Sequence, residues 1–346
     1  MTNLFFGGED VDFAPSGVSA ITVSTSAGLF RSTYARCGIG ITGQAVADPP
    51  SFLFAPPANW SASASSFWVH FQMCPTIAGP SVNNSTLANA QFLRLLDTAG
   101  VARLLIRGTG TNGQFKLSTR NAAGTITDLV TSAATAFPAG LAQVDVFVNY
   151  GTVGEFSVYI NSALAAQYLG DITTNAGGQT FNNHQFAGWA TASAPVCYIS
   201  ECLVDTADTR AQSLFLANSN TAGTNQAWTG TATNVNATTI NDANFVYSPT
   251  AAQIQEYKPA SLPAGAWAIV GVGMSARMLD GASGPTKADF VTRIASTEYL
   301  SADRTLTGSF TNYGNYLQTV NPATSSAWAL ADVAPTNMQY GLKSIT

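Results

Sequence analysis

Apolar and polar residues alternate along much of this chain of 346 residues, and a period of two puts every second side chain on one face of an extended strand. The run Phe67-Trp68-Val69-His70-Phe71-Gln72-Met73 gathers Phe67, Val69, Phe71 and Met73 on one face. Phe92 to Leu96 and Val101 to Arg107 flank Asp97-Thr98-Ala99-Gly100, a composition that predicts a hairpin turn. Gln114 to Thr119 follows as the next strand. Val144, Val146 and Val148 form a further set, and Gly151-Thr152-Val153-Gly154 returns the chain into Phe156, Val158 and Ile160. Asn161-Ser162 then turns it into Ala163 to Tyr168, and Val196 to Asp205 is a later strand. Short strands at a spacing of roughly 8–12 residues predict a sandwich or barrel.

Helical patterning is scarce. Thr250 to Lys258, with Thr250 as a cap and Pro259 as a stop, reads either as a short helix or as another strand. Leu87 to Leu96 admits a helix too, but the turn at 97–100 favours the hairpin. Alternation lapses over 206–230, where Asn218 to Asn225 is rich in turn residues. This predicts two domains, 1–208 and 209–346. In the second, Ala268, Val270, Val272, Met274, Ala276 and Met278 form one alternating set. The strand Trp267–Met278 is expected to lie at its centre and to supply most of its buried face. Phe290 to Ile294 and Leu306 to Phe310 are further predicted strands.

Two stretches carry resemblances. Glu155-Phe-Ser-Val-Tyr-Ile-Asn-Ser-Ala-Leu-Ala resembles the hairpin of concanavalin-A-like and laminin-G-like jelly rolls, with Ser162 where glycine is usual. Val196 to Asp205 resembles the late strand that closes that sandwich. The likeness spans roughly residues 60–208 and implies an all-β fold: a jelly-roll (concanavalin-A-like) sandwich followed by a second, smaller β-sandwich domain. Further on, Ala227-Trp228-Thr229-Gly230, Leu262-Pro263-Ala264-Gly265, Met274-Ser-Ala-Arg-Met and Asn321-Pro-Ala-Thr-Ser-Ser-Ala-Trp328 stand before a final strand at Tyr340-Gly-Leu-Lys343. Together they resemble the C-terminal half of tailed-bacteriophage structural proteins. That resemblance implies a place in a virion more than it implies a reaction. Independently of it, Asn321-Pro322 predicts a turn, and Trp328 offers an apolar body to cap the end of a sandwich.

Composition narrows the function. Charged residues make up 10% of the chain, against about 25% in ordinary soluble domains. Hydrophobic residues make up 46%, too many for a disordered polar chain. The surface must then consist of Ser, Thr, Asn, Gln and Gly, a neutral covering suited to many copies packed together. Net charge is −5, and the basic residues are scattered singly. Clustered cations, which phosphate binding requires, are missing, so neither nucleic acid nor an anionic membrane is an expected partner. Met1 to Asp12 lacks the basic start of a secretory signal. Ala264 to Met274 is half the length that crosses a bilayer. A chain made in the host cytoplasm and carried in the virion is the expectation.

Reactive groups are few. Cys37, Cys74, Cys197 and Cys202 lack metal-ligand spacing. Buried free thiols are expected, with a bridge such as Cys37–Cys74 as the alternative. On a continuous strand Cys197 and Cys202 point to opposite faces, which argues against a local disulfide. Paired carboxylates of a retaining glycosidase would sit at i,i+2 on one strand. The five glutamates, Glu9, Glu155, Glu201, Glu256 and Glu298, show no such pattern beyond Glu9-Asp10 and Asp12 at the N-terminus. His70 sits opposite the apolar face of its strand, and His184 follows Asn182-Asn183 in an expected loop. No Gly-x-Ser-x-Gly elbow accompanies either. Catalytic residues, metal ligands and cofactors are therefore predicted to be none. The laminin-G-like resemblance implies calcium as the ion to expect if one is bound, with Asp171 or the pair Asp205 and Asp208 as conceivable ligands.

Carbohydrate binding is the rival reading. Trp60, Trp68, Trp189, Tyr313 and Tyr316 are candidate stacking rings, and Tyr313-Gly-Asn-Tyr316 reads as the most loop-like of them. The sequence thus predicts a non-enzymatic virion structural protein, in a tail fibre, tail appendage or capsid decoration. Its partners would be other virion proteins and further copies of itself. The first alternative is a host-attachment module that binds a surface glycan through Tyr313 and Tyr316. The second is a polysaccharide-degrading enzyme.

Overall fold

The computed structural model describes residues 3–7, 22–24, 38–42, 60–74, 91–111, 113–138, 141–173, 179–186, 195–217, 221–235, 241–265 and 267–346. Among them there is no α-helix, and the one helical turn is the 3-10 segment Ala232–Asn234. The chain divides into two units, Met1–Leu214 and Phe215–Thr346. The sequence reading divided it between 208 and 209. The difference has a physical source: the residues after 205 lack alternation yet bond back to the first unit. Thr209 Oγ1 donates to Asp145 at 2.9 Å, and Gln143 Nε2 donates to the Arg210 carbonyl at 2.8 Å. The Arg210 guanidinium lies over the rings of Tyr159 and Trp68, at 4.6 and 5.2 Å.

In the first unit the strands are β1 (Asn3–Gly7), β2 (Thr22–Ser24), β3 (Gly38–Thr42), β4 (Ser66–Cys74), β5 (Gln91–Asp97), β6 (Ala102–Gly108), β7 (Phe115–Arg120), β8 (Ile126–Thr131), β9 (Ala142–Asn149), β10 (Gly154–Ile160), β11 (Ala163–Gly170), β12 (Phe181–Phe186) and β13 (Pro195–Asp205). One antiparallel sheet runs β11-β10-β9-β4-β13-β3-β2, with β1 also on β13; the other runs β12-β5-β6-β7-β8. The predicted inward set Phe67, Val69, Phe71 and Met73 meets Phe92, Leu104, Ile106, Phe115 and Leu117 of the facing sheet in one core. Phe71 packs on Phe92 and Phe186, and Phe67 packs on Phe181. Each such ring, fully buried, contributes about 1.5–3 kcal/mol. This is a jelly-roll sandwich. The outer face of β4 is covered as well: Trp68, His70 and Gln72 are all buried.

The β10–β11 hairpin turns on Asn161 and Ser162, both left-handed, at φ 51° and 65°. A two-residue turn of this hand follows the twist of its strands but disfavours residues with a Cβ. Ser162→Gly should therefore raise the stability of the first unit by about 0.5–1 kcal/mol, read as a higher urea midpoint. Strand β13 is interrupted by a bulge between Ser200 and Leu203, with Glu201 at φ 51°. The continuous parity assumed for Cys197 and Cys202 is thereby broken, so their spacing no longer argues against a bridge. Cys37 and the side chains of Cys74 and Cys197 lie outside the described residues; Cys202 is buried, with its Sγ 3.4 Å from His184 Nε2.

The second unit contains β14 (Ala222–Gln226), β15 (Ile254–Tyr257), β16 (Val272–Met278), β17 (Lys287–Ile294), β18 (Thr297–Leu300), β19 (Arg304–Thr305), β20 (Thr311–Gln318) and β21 (Met338–Ile345). One sheet runs β14-β15-β21-β17-β18 with β19 on β17, and among the described residues β16 pairs only with β20. Two clusters fill the space between and beside these layers. Met278, Ala288 and Phe290 pack with Met274, Ala276 and Leu342. Ile294, Trp328 and Met338 pack with Val272 and Tyr299. The unit is a second, smaller sandwich.

Two expectations change in this unit. The strand predicted over Trp267–Met278 covers only 272–278 and lies in the two-stranded layer, not at the centre. β21 is central instead, because its neighbours β15 and β17 flank it on both sides. From Val272 on the alternating set faces inward, whereas Ala268 is exposed and Ile269 packs in its place, and most fully buried members of the two clusters come from β17, β21 and Trp328. Residues 306–310 form no strand but link β19 to β20, and Leu306 alone of them packs into the core cluster. Of Thr250 to Lys258, left open between helix and strand, Ile254–Tyr257 form the strand β15 and residues 250–253 lead into it as a turn. Trp328 is buried as expected, with its Nε1 donating to the Gln318 carbonyl at 2.8 Å. The Asn321 side chain opens the predicted turn by accepting from the Ala323 amide.

Candidate functional site

Tyr313 and Tyr316 do not lie in a loop. They belong to β20, where Met274 pairs with Tyr316 and Ala276 with Tyr313. Two steps on β16 thus match three on β20, a bulge at Gly314-Asn315. The extra residue lets positions three apart share a face, and both rings pack against the core cluster of the second unit. The Tyr316 ring stacks on Phe290 with centroids 5.7 Å apart and planes within 5°. Gln318 Nε2 donates to its hydroxyl, while burial raises its pKa above the usual 10.0. Tyr313 donates its hydroxyl to the Thr305 carbonyl at 3.1 Å. Glycine and asparagine, read as loop residues, serve here as bulge residues.

The histidines are both buried. His184 lies in β12 with its ring in the core, not in a loop. Its Nδ1 accepts from Trp60 Nε1 at 2.9 Å. A neutral ring then carries its proton on Nε2, which meets Cys202 Sγ at 3.4 Å. With the proton already on that nitrogen, the imidazole cannot take one from the thiol. Desolvation pushes the pKa of His184 down from 6.5 to about 3. Between those values the unfolded chain binds a proton that the folded chain refuses, so stability falls as pH falls through the window. The expected loss from pH 6.5 to 4.5 is about 2–3 kcal/mol. His184→Gln retains an acceptor for Trp60 and should flatten that part of the profile. A wild-type profile no steeper than that of the variant, in urea titrations at stepped pH, would contradict the assignment.

His70 Nδ1 bonds Asp145 Oδ1 at 2.8 Å across the β4–β9 register. Thr209 and Gln143 complete the carboxylate's shell. Spacing alone could not reveal this pair, because strand pairing brings together residues 75 positions apart. A nucleophilic relay would need a hydroxyl on Nε2, but that nitrogen is buried without a hydrogen-bond partner. Thr209 bonds the carboxylate instead.

The carboxylates weighed for calcium are also engaged. Asp171 accepts from Thr173 N and Oγ1, Asp205 from Ala207 N, and Asp208 from Arg210. The Arg210 hydrogen bonds hold Asp208 below the ordinary carboxylate range. Among the described residues, no three His, Cys, Asp or Glu side chains are grouped to hold a metal. Trp60 and Trp68 are buried. Trp189 and Glu9, Asp10 and Asp12 lie outside the described residues.

One group of exposed rings was not singled out from the sequence. Phe245 and Tyr247 are 48% and 50% exposed. Their centroids are 6.3 Å apart, and Phe245 lies 6.0 Å from Phe310. The segment is fixed at one end by the reciprocal backbone bonds of Thr229 and Tyr247. At the other end Arg277 of β16 holds Asp242 through Nε and Nη2, at 2.7 and 2.8 Å. Arg277 Nη1 reaches Asn312 Oδ1 at 2.9 Å, and the guanidinium lies 5.7 Å from the Phe310 ring centre. These bonds hold Asp242 below its usual pKa. The signal in the sequence is the i,i+2 pair of Phe245 and Tyr247, which on extended backbone share a side. Phe310, and Arg277, which lies 35 positions from the Asp242 it anchors, carry no such signal.

Comparison with protein families finds no match, and neither does comparison with curated protein sequences. Among solved structures, the chain is similar to an endo-β-1,4-glucuronan lyase from the fungus Trichoderma reesei, at 10% identity and a TM-score of 0.39, over 60% of this chain and 96% of that one. It is similar to the globular domain of T. cruzi calreticulin at 10% identity and a TM-score of 0.39, over 60% and 89%. It is also similar to a carbohydrate binding module from Bacillus subtilis at 9% identity and a TM-score of 0.31, over 56% and 95%. Likenesses this distant leave the chemistry of the chain to be read from its own side chains.

Proposed function

We propose that this chain is a non-enzymatic structural protein of a bacteriophage particle, displayed on the virion in a tail fibre, tail appendage or capsid decoration. It acts by assembling with other virion proteins and with copies of itself. The observation that carries the non-enzymatic part is the state of its acid–base groups. Both histidines are buried, one against Asp145 and one between Trp60 and Cys202. Glu256 and Glu298 are both bound to Arg293. General acid–base work needs such a group within reach of a substrate, and these are closed off or neutralised. Support for the virion comes from the resemblance of the C-terminal segments to tailed-phage structural proteins and from a composition poor in charge. Assembly through symmetric interfaces follows from both.

The test is co-sedimentation of the purified chain with particles that lack it, with sedimentation velocity of the chain alone. Self-association and particle binding are expected. A strict monomer that ignores particles would overturn the reading. Release of reducing ends from host capsule would replace it with the polysaccharide-degrading alternative.

A further inference from the structure

We propose that Phe245 and Tyr247, backed by Phe310, form a binding site for an uncharged saccharide on the outer face of the β16–β20 pair. This goes beyond the assembly role and does not depend on it: a chain that joins particles but binds no sugar loses only this assignment. Phe245 and Tyr247 each leave about half of their surface to water. An aromatic face in that state suits the apolar C–H side of a pyranose, which covers the ring without stripping hydroxyls of water.

The surrounding polar groups fit the rest of a sugar. Asp242 offers acceptor oxygens, and the Tyr247 hydroxyl can both donate and accept, while Asn312 Oδ1 is engaged by Arg277. Sugar hydroxyls both give and take hydrogen bonds, so such a mixture serves them better than a single-signed surface would. Charge decides which sugar. Arg277 is the cation of the patch, and the Asp242 carboxylate faces it through two hydrogen bonds. The pair sums to zero, so an anionic glycan gains no net attraction.

Size decides against a folded protein as occupant. An aromatic side chain carries about 150–250 Å² of surface, so two half-exposed rings present roughly 200 Å². A stable protein interface needs about 800 Å² from each partner. Orientation adds a limit. Phe245 is inclined at 62° to Tyr247 and at 56° to Phe310. The rings form a cradle, not a flat strip, which suits a terminal sugar or a disaccharide more than a long polymer laid across it.

The experiment is saturation-transfer NMR on the full chain with four neutral probes and one acidic probe. The neutral probes are the methyl glycosides of glucose, galactose, mannose and N-acetylglucosamine; the acidic one is methyl glucuronide. At least one neutral glycoside should receive saturation. Phe245→Ala and Tyr247→Ala should each weaken its binding by roughly tenfold. Leu300→Ala, at an exposed position on β18, should leave it unchanged. Both aromatic positions are half exposed, and unchanged thermal midpoints would establish that either variant is folded. No transfer to any neutral glycoside, transfer that survives both truncations, or tighter binding of the glucuronide would each overturn the assignment. Self-association of the wild type that disappears in Phe245→Ala would overturn it in favour of a protein contact.

Discussion

Replacing Asp97 with alanine should destabilise the first unit by about 3–5 kcal/mol, the range for removing one partner of a buried ion pair. Asp97 is fully buried at the start of the β5–β6 turn. Its Oδ1 accepts from the amides of Ala99 and Val101, at 3.0 and 2.8 Å. Its Oδ2 accepts from Arg103 Nε at 2.7 Å. The alanine variant loses the turn bonds and leaves a buried guanidinium without its carboxylate. Asp97→Asn keeps an oxygen for the turn but not the charge, and should fall between the variant and the wild type. Adding Arg103→Met to Asp97→Ala should restore part of the loss, because the stranded cation is removed with its partner. Guanidinium titrations followed by the fluorescence of Trp60 and Trp68 report on this unit. A loss under about 1 kcal/mol would mean that the pair behaves as a solvated surface bridge.

The same residue shows what a sequence can and cannot reveal. Asp97-Thr98-Ala99-Gly100 reads as a turn because the carboxylate can cap amides two and four residues on, and Gly100 takes φ +75°. Both causes are local. That Asp97 also holds Arg103 is set by the hairpin's register, which no composition reveals. Alternation was legible for a related reason: Phe67, Val69, Phe71 and Met73 face a core wherever the sheet lies. Strand order was not, and so β16 was read as central. The loop expected over Tyr313-Gly-Asn-Tyr316 is instead a strand with one inserted residue, and the bulge in β20 turns Tyr313 and Tyr316 to the same inner side. Phe245 and Tyr247 escaped notice because what sets them apart is exposure, and their ring neighbour Phe310 and anchor Arg277 come from distant parts of the chain.

The second large effect belongs to Glu256. This carboxylate on β15 is fully buried, and Arg293 on β17 reaches it across the central strand β21, with Nε 2.8 Å from Oε1. Its other oxygen accepts from the Asn225 amide at 3.0 Å. Arg293 also bonds Glu298 and donates to the Ser296 carbonyl. The ion pair therefore ties the two strands that flank β21, and through Asn225 it fixes β14 at the edge. Glu256→Ala should cost about 3–5 kcal/mol, since Arg293 then keeps only the partly exposed Glu298 as counter-charge. Arg293→Met should cost a similar amount by stranding Glu256. The pair Glu256→Met with Arg293→Met buries no orphan charge, and apolar replacements of buried ion pairs are often close to neutral. The double variant should thus be more stable than the sum of the single losses predicts, with a coupling of about 2 kcal/mol or more. Strictly additive losses in a double-mutant cycle would show that water reaches both groups. The sandwich of the second unit would then be held by its apolar clusters around Phe290 and Trp328 alone.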